Sequence, residues 1–244
     1  MRMNLMIASV LLISSLSNVS AKTINGEKMS LGNGNVYSYA VTSENGIPQS
    51  LGIALTEEAL NGLSTVDQTF MIPLPTGVEI PPYKYVMINW NPHGHEPENI
   101  YGLPHFDFHF YALSDLKREA ISCMGDDAAI CTKMPEANYL PKYYIPTPAG
   151  VPQMGWHWLD SRSPELNGKR FTSTFIDGFY NGKMIFVEPM ITREFLLSKT
   201  YLYQELSMPK NYYYRGYYPG AYVVKYDSDK KVYRIILKNL EKID

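Results

Sequence analysis

Two neighbouring stretches decide how this chain is read: Asn89-Trp90-Asn91-Pro92-His93-Gly94-His95-Glu96-Pro97 and His105-Phe106-Asp107-Phe108-His109-Phe110-Tyr111. In a β-strand successive side chains point to opposite faces. The second stretch therefore sends His105, Asp107, His109 and Tyr111 to one side and its three phenylalanines to the other. In the first, Val86, Ile88 and Trp90 share one face, and Asn89, Asn91, His93 and, by extension, His95 share the opposite one. Paired as antiparallel neighbours, the two strands make one continuous apolar wall and one continuous polar row. That register gathers His93, His95 and His105 near the connecting loop.

A polar strand face ordinarily points to water and carries lysine and glutamate. Residues 85–116 hold no lysine or arginine, and neither do residues 143–161 around Met154-Gly155-Trp156-His157-Trp158-Leu159-Asp160. Such a stretch suits a bound cation, because a nearby ammonium would oppose it. All 5 histidines lie between positions 93 and 157. Further on, Phe186-Val187-Glu188-Pro189-Met190 places a carboxylate among apolar neighbours, where an unpaired charge is costly.

These features predict a divalent transition-metal site made by His93, His95 and His105, with His109, His157 and Glu188 lining the same cavity. A regular strand separates His105 from His109 by about 13 Å, so one ion does not take both. Asp107, Tyr111 and Asp160 are expected to support the ligands from behind. Imidazole and carboxylate donors suit zinc first, with copper or iron as alternatives, and the thioethers of Met154 and Met190 would favour copper. In a metalloenzyme, Glu188 or Glu96 would be the catalytic general base for a substrate the sequence does not name. The contrasting reading is a non-catalytic, oligomeric stress-response or ligand-binding protein with a structural ion or none. No GxSxG elbow, P-loop or dinucleotide fingerprint offers a different chemistry.

The rest of the chain sets the frame. Over 244 residues, 45% hydrophobic and 19% charged content excludes a disordered chain, and a net charge of -2 argues against a nucleic-acid binder, whose affinity would come from a basic face. Aromatic excess with frequent glycine and proline predicts a mainly β fold, a β-sandwich or barrel-like domain with two or three short helices and α+β character only at its margins. Strands are expected near 36–41, 69–74, 83–91 and 105–111, and hairpins over 171–191 and 221–237. A helix is expected from Ser114 to about Cys123, and the Pro-rich residues 134–155 read as a long ordered loop. Met1-Arg2-Met3-Asn4, an apolar run to Leu16 and Val19-Ser20-Ala21 predict a signal peptide over 1–21. Residues 22–244 then form one β-rich domain, periplasmic or secreted, with no stable membrane insertion after cleavage. Export makes a Cys123–Cys131 disulfide plausible chemistry. Residues 201–222 hold eight of the 20 tyrosines and are read as a C-terminal extension serving packing or a homo-oligomer interface.

The blocks His93-Gly94-His95-Glu96-Pro97, Pro104 to Tyr111, Met154 to Asp160 and Phe186 to Met190 resemble those of an uncharacterised secreted bacterial family of unknown function. The resemblance covers about residues 35–200. It implies an exported, oligomeric β-rich domain and brings no established activity.

Overall fold

The computed structural model describes residues 21–244, so the expected signal segment lies, apart from Ala21, outside the described residues. Two antiparallel sheets build a sandwich without barrel closure. The first holds β1 (Lys22–Asn25), β2 (Met29–Leu31), β3 (Gly34–Thr42) and β4 (Pro48–Thr56). The second begins with β5 (Gln68–Pro73), β6 (Tyr85–Asn91) and β7 (His105–Tyr111). It continues through β8 (Tyr144–Pro146), β9 (Trp156–Asp160), β10 (Ser173–Tyr180) and β11 (Lys183–Thr192). The chain then returns to the first sheet as β12 (Leu202–Glu205), β13 (Gly216–Asp227) and β14 (Val232–Ile243). The orders are β1-β3-β4-β14-β13-β12, with β2 beside β3, and β5-β6-β7-β11-β10-β9-β8.

The expected pairing of the two decisive strands is present: Asn91 faces His105, Asn89 faces Asp107 and Met87 faces His109. Their apolar wall is the inner face of the second sheet. Ile88, Trp90, Phe106, Phe108 and Phe110 pack there against Ile53, Leu55, Tyr222, Ile235 and Leu237 of the first sheet. Burying a side chain of this size contributes about 1.5–3 kcal/mol, so this wall dominates the stability of the sandwich.

Three details differ from expectation. Among the described residues there are four short α-helices: α1 (Glu98–Tyr101), α2 (Asp115–Glu119), α3 (Asp127–Cys131) and α4 (Arg193–Leu197). The expected 114–123 helix thus stops early, and the Ser114 hydroxyl makes no capping bond. The tyrosine-rich tail is no appendage: β14 lies in the sheet interior between β4 and β13, and Tyr222 and Tyr233 are fully buried in the core. The 171–191 hairpin, expected to turn across Gly178 to Gly182, turns only at the end of that span. Gly178 remains inside β10 and the turn falls at Asn181-Gly182. The Cys123–Cys131 disulfide is formed and ties the end of α3 to the strap after α2.

Candidate metal centre

The polar row of β7 points away from the sandwich core, yet it does not face water. His105, Asp107, His109 and Tyr111 are all buried. Register extends this row across the sheet. Met190 lies opposite Asp107 on β11, Ile176 lies opposite Glu188, and His157 on β9 lies opposite Gly178 on β10. Glu188 and His157 therefore join the histidine face by strand parity alone. The strap from β7 to β9 covers part of it: the Tyr111 hydroxyl donates to the Gln153 carbonyl at 3.1 Å, and Arg118 donates to the Gln153 side chain.

Two groups of donor atoms converge on this face, each with two imidazoles and one carboxylate. The deeper comprises His109, His157 and Glu188. His109 Nε2 lies 3.2 Å from Glu188 Oε1, and His157 Nε2 lies 3.7 Å from Glu188 Oε2. His109 Nε2 and Glu188 Oε2 are buried without a hydrogen-bond partner among the described residues. Atoms that crowd together yet bond to nothing suit a shared third body. Two donors each 2.0–2.1 Å from one tetrahedral ion lie about 3.4 Å apart, and these separations bracket that value. Burial lowers His109 to about 4, and burial followed by the charge of His109 lowers His157 to about 3. Both rings are therefore neutral at neutral pH, with lone pairs to offer. Burial, then the charge of Asp107, pushes the Glu188 carboxyl well above the ordinary range, so its anion needs a cation beside it.

The second group is His95, His105 and Asp107. His105 Nδ1 donates to the Leu103 carbonyl at 2.7 Å, and His95 Nδ1 donates to the Glu96 carbonyl at 2.9 Å. Each ring is anchored through its Nδ1, which turns its Nε2 toward Asp107, and such anchoring is how metal-ligating histidines are oriented. Those Nε2 atoms lie 3.1 Å and 3.7 Å from the two Asp107 oxygens. Asn91 donates to Asp107 Oδ2 at 2.7 Å, while Oδ1 has no hydrogen-bond partner among the described residues. Burial would raise Asp107, but its contacts with His105 and then His95 outweigh that and hold it well below the carboxylate range.

Several expected site residues lie elsewhere. His93 is exposed and belongs to neither group. β6 ends at Asn91, and the Gly94 N–H closes a turn onto the Asn91 carbonyl, with Gly94 at φ +72°. The pleat stops there, so alternation does not carry His93 inward, and the expected His93, His95 and His105 trio is not assembled. Glu96 is exposed, its carboxylate accepts the Glu98 N–H at the start of α1, and it belongs to neither group. Glu188 stands between two imidazoles, its oxygens 3.2 and 3.7 Å from the Nε2 atoms of His109 and His157. Asp107 moves from supporting role to donor. Asp160 has the opposite parity to His157 and pairs with Arg162. Met190 packs with Tyr101, Leu159 and Phe171, and Met154 packs beside Tyr111 and Phe186.

Sequence reasoning missed Phe186 and Gly178. The Phe186 ring makes edge contacts with both imidazoles, 4.9 Å from the His109 ring and 5.4 Å from the His157 ring. A Cβ on Gly178 would overlap that ring. Nothing in a single sequence distinguishes this glycine from a turn residue. A concavity on the outer face of the first sheet, lined by residues such as Tyr39, Lys225, Arg234 and Lys238, shares no residue with either group.

No known protein family, curated protein or solved structure matches the chain. The site's chemistry stands on its own geometry.

Proposed function

We propose that this is an exported metal-binding protein whose resident ion, a divalent transition metal, is held by His109, His157 and Glu188. The observation that carries this is the convergence of buried, unpaired nitrogen and oxygen atoms on one point. A plain ion pair would leave them bonded to one another. Two imidazoles with one carboxylate suit zinc and equally iron(II), with copper(II) as a further alternative. Enclosure of all three ligands, with no free carboxylate facing an open cleft, favours holding the ion over hydrolysing a substrate with it.

Export is the setting this reading requires, with cleavage after Ala21. The disulfide is compatible with it, and no helix among the described residues is long and apolar enough to cross a membrane. Self-association into a homo-oligomer, and membership of the uncharacterised secreted family its blocks resemble, belong to the same proposal.

The test is metal analysis and zinc calorimetry on untagged protein. Wild type is expected to bind stoichiometrically and His109→Ala to lose the deep ion. Glu188→Gln should also lose it, since the neutral amide keeps the shape and removes the charge. Wild type free of zinc, iron and copper at micromolar concentrations would end the proposal.

A further inference from the structure

The deep triad has no exposed ligand: His109 and Glu188 are buried and the His157 side chain is 12% exposed. A hydrated ion cannot reach such a position without a path, and a bare ion crossing apolar packing would be prohibitively costly. The second triad supplies a different environment. Its His95 side chain is 41% exposed, whereas His105 is fully buried and Asp107 nearly so. One triad therefore runs from solvent to interior within three residues.

The two triads are also contiguous. Asp107 and His109 are two residues apart on the same face of β7, about 7 Å along the strand. On β11, Met190 lies opposite Asp107 and Glu188 stands two residues along on the same face, so the two triads share one strip of the sheet. Between solvent and Glu188, then, lies a row of imidazole and carboxylate donors. The nearest buried guanidinium, Arg118, forms its ion pairs with Asp115 and Glu119.

We propose that His95, His105 and Asp107 form a second, outer metal site, through which the ion passes to and from the deep one. The proposal rests on the reading of the deep triad as the resident site. In it, the exposed His95 imidazole captures the hydrated ion by replacing one water. His105 and Asp107 replace further waters, and the partly dehydrated ion then moves along β7 to His109, His157 and Glu188. No bond other than metal–ligand bonds is made or broken. Asn91, bonded to Asp107 Oδ2 at 2.7 Å, holds that carboxylate toward the ring pair. A protein built this way takes up and releases its ion, which fits a metal carrier or buffer outside the cytoplasm better than a structural site closed for life.

The experiment uses untagged full mature chain, stripped of metal, with cobalt(II) chloride as probe. Bound cobalt is counted after dialysis, and loading is followed by stopped-flow absorbance. Wild type is expected to take two ions per chain in two phases. His95→Ala, an exposed position that leaves folding intact, should retain one ion. Its deep site should load about tenfold slower or worse, because uptake then waits on local opening, while the equilibrium affinity changes less than about threefold. His109→Ala should keep the outer ion and lose the deep one, and Asp107→Asn should reproduce the His95→Ala loading defect. The outer site is overturned if His95→Ala loads two ions at the wild-type rate. It is equally overturned if wild type binds a single ion whose uptake His95→Ala leaves unchanged, or if His109→Ala loses both ions. Wild type binding no cobalt, zinc or iron overturns the resident-site reading as well, and so separates the two failures.

Discussion

Gly178→Ala is the substitution that tests the deep site without touching a donor atom. Gly178 has no backbone need for glycine, since its φ is not among the positive ones, so alanine fits the strand itself. What it does not fit is Phe186, whose ring lies where the new Cβ would be. Phe186 is almost fully buried and touches His109, Tyr111 and His157 at ring separations of 4.9, 5.0 and 5.4 Å, so it has nowhere neutral to go. Overpacking of this kind costs about 1–3 kcal/mol. At about 2–4 °C per kcal/mol for a domain of this size, the metal-free protein should melt roughly 4–8 °C lower at the middle of that range. Displacing both imidazoles should further weaken metal binding by about 10–100-fold, the usual cost of disturbing groups that orient ligands. The assay pairs thermal melts of metal-free protein with zinc calorimetry. A Gly178→Ala, Phe186→Leu double variant, which returns the space, should recover much of the affinity. Lowered stability with wild-type zinc affinity would refute the role given to Phe186, and no change in either would refute the packing itself.

Three other outcomes follow from the same coordinates. Asp177 is buried near Tyr144, Tyr212 and Tyr218, and burial alone pushes its carboxyl well above the ordinary range. Its contribution is complete below the unfolded value near 4 and is lost as pH rises through the raised folded value, so Asp177→Asn should gain about 1–3 kcal/mol at pH 9 relative to pH 4 in urea melts; equal gains at both would show that charge is not the cause. Reducing the Cys123–Cys131 bond, or Cys123→Ser with Cys131→Ser, should cost about 2–3 kcal/mol for a loop of 8-residue separation, a loss that thermal melts with and without reductant will show or exclude. His93→Ala should leave metal stoichiometry and affinity at wild-type values in calorimetry; a lost ion would restore His93 as a ligand.

The part of the site carried by β7 was legible because period-two alternation is strict inside a paired strand. His105, Asp107 and His109 needed only the sequence and the neighbouring apolar wall. His95 was legible for the wrong reason: alternation was extended past Asn91, where a turn had replaced the pleat. It reaches Asp107 through loop geometry that no periodicity encodes, and the same turn leaves His93 outside. His157 and Glu188 were found by composition, as lone ligand types among apolar residues. That they face His109 depends on β9, β10 and β11 pairing in order, a long-range fact. Splitting one expected site into two triads was likewise beyond the sequence, since it depends on which imidazole each carboxylate meets.

The charge balance of this face favours a bound ion. Asp107 and Glu188 are both nine-tenths buried or more, and their only ionic partners among the described residues are histidines. Two of those histidines, His109 and His157, are held neutral by their own burial, so they cannot supply positive charge at neutral pH. A buried carboxylate without a cation must protonate or destabilise the fold. Asp107 is held ionised by its contacts with His105 and His95, while burial and then the charge of Asp107 oppose ionisation of Glu188, leaving the deep triad with a carboxyl that ionises only beside a cation. A divalent cation in the deep triad would meet that need. It lets Glu188 ionise, uses the lone pairs that burial keeps on His109 and His157, and offsets the negative potential of Asp107. Replacing Glu188 and Asp107 together by their amides should therefore stabilise the metal-free protein against thermal unfolding at pH 7 while ending metal-dependent stabilisation. If the double amide variant melts lower than metal-free wild type, the carboxylates are serving the fold directly and the proposed metal site fails.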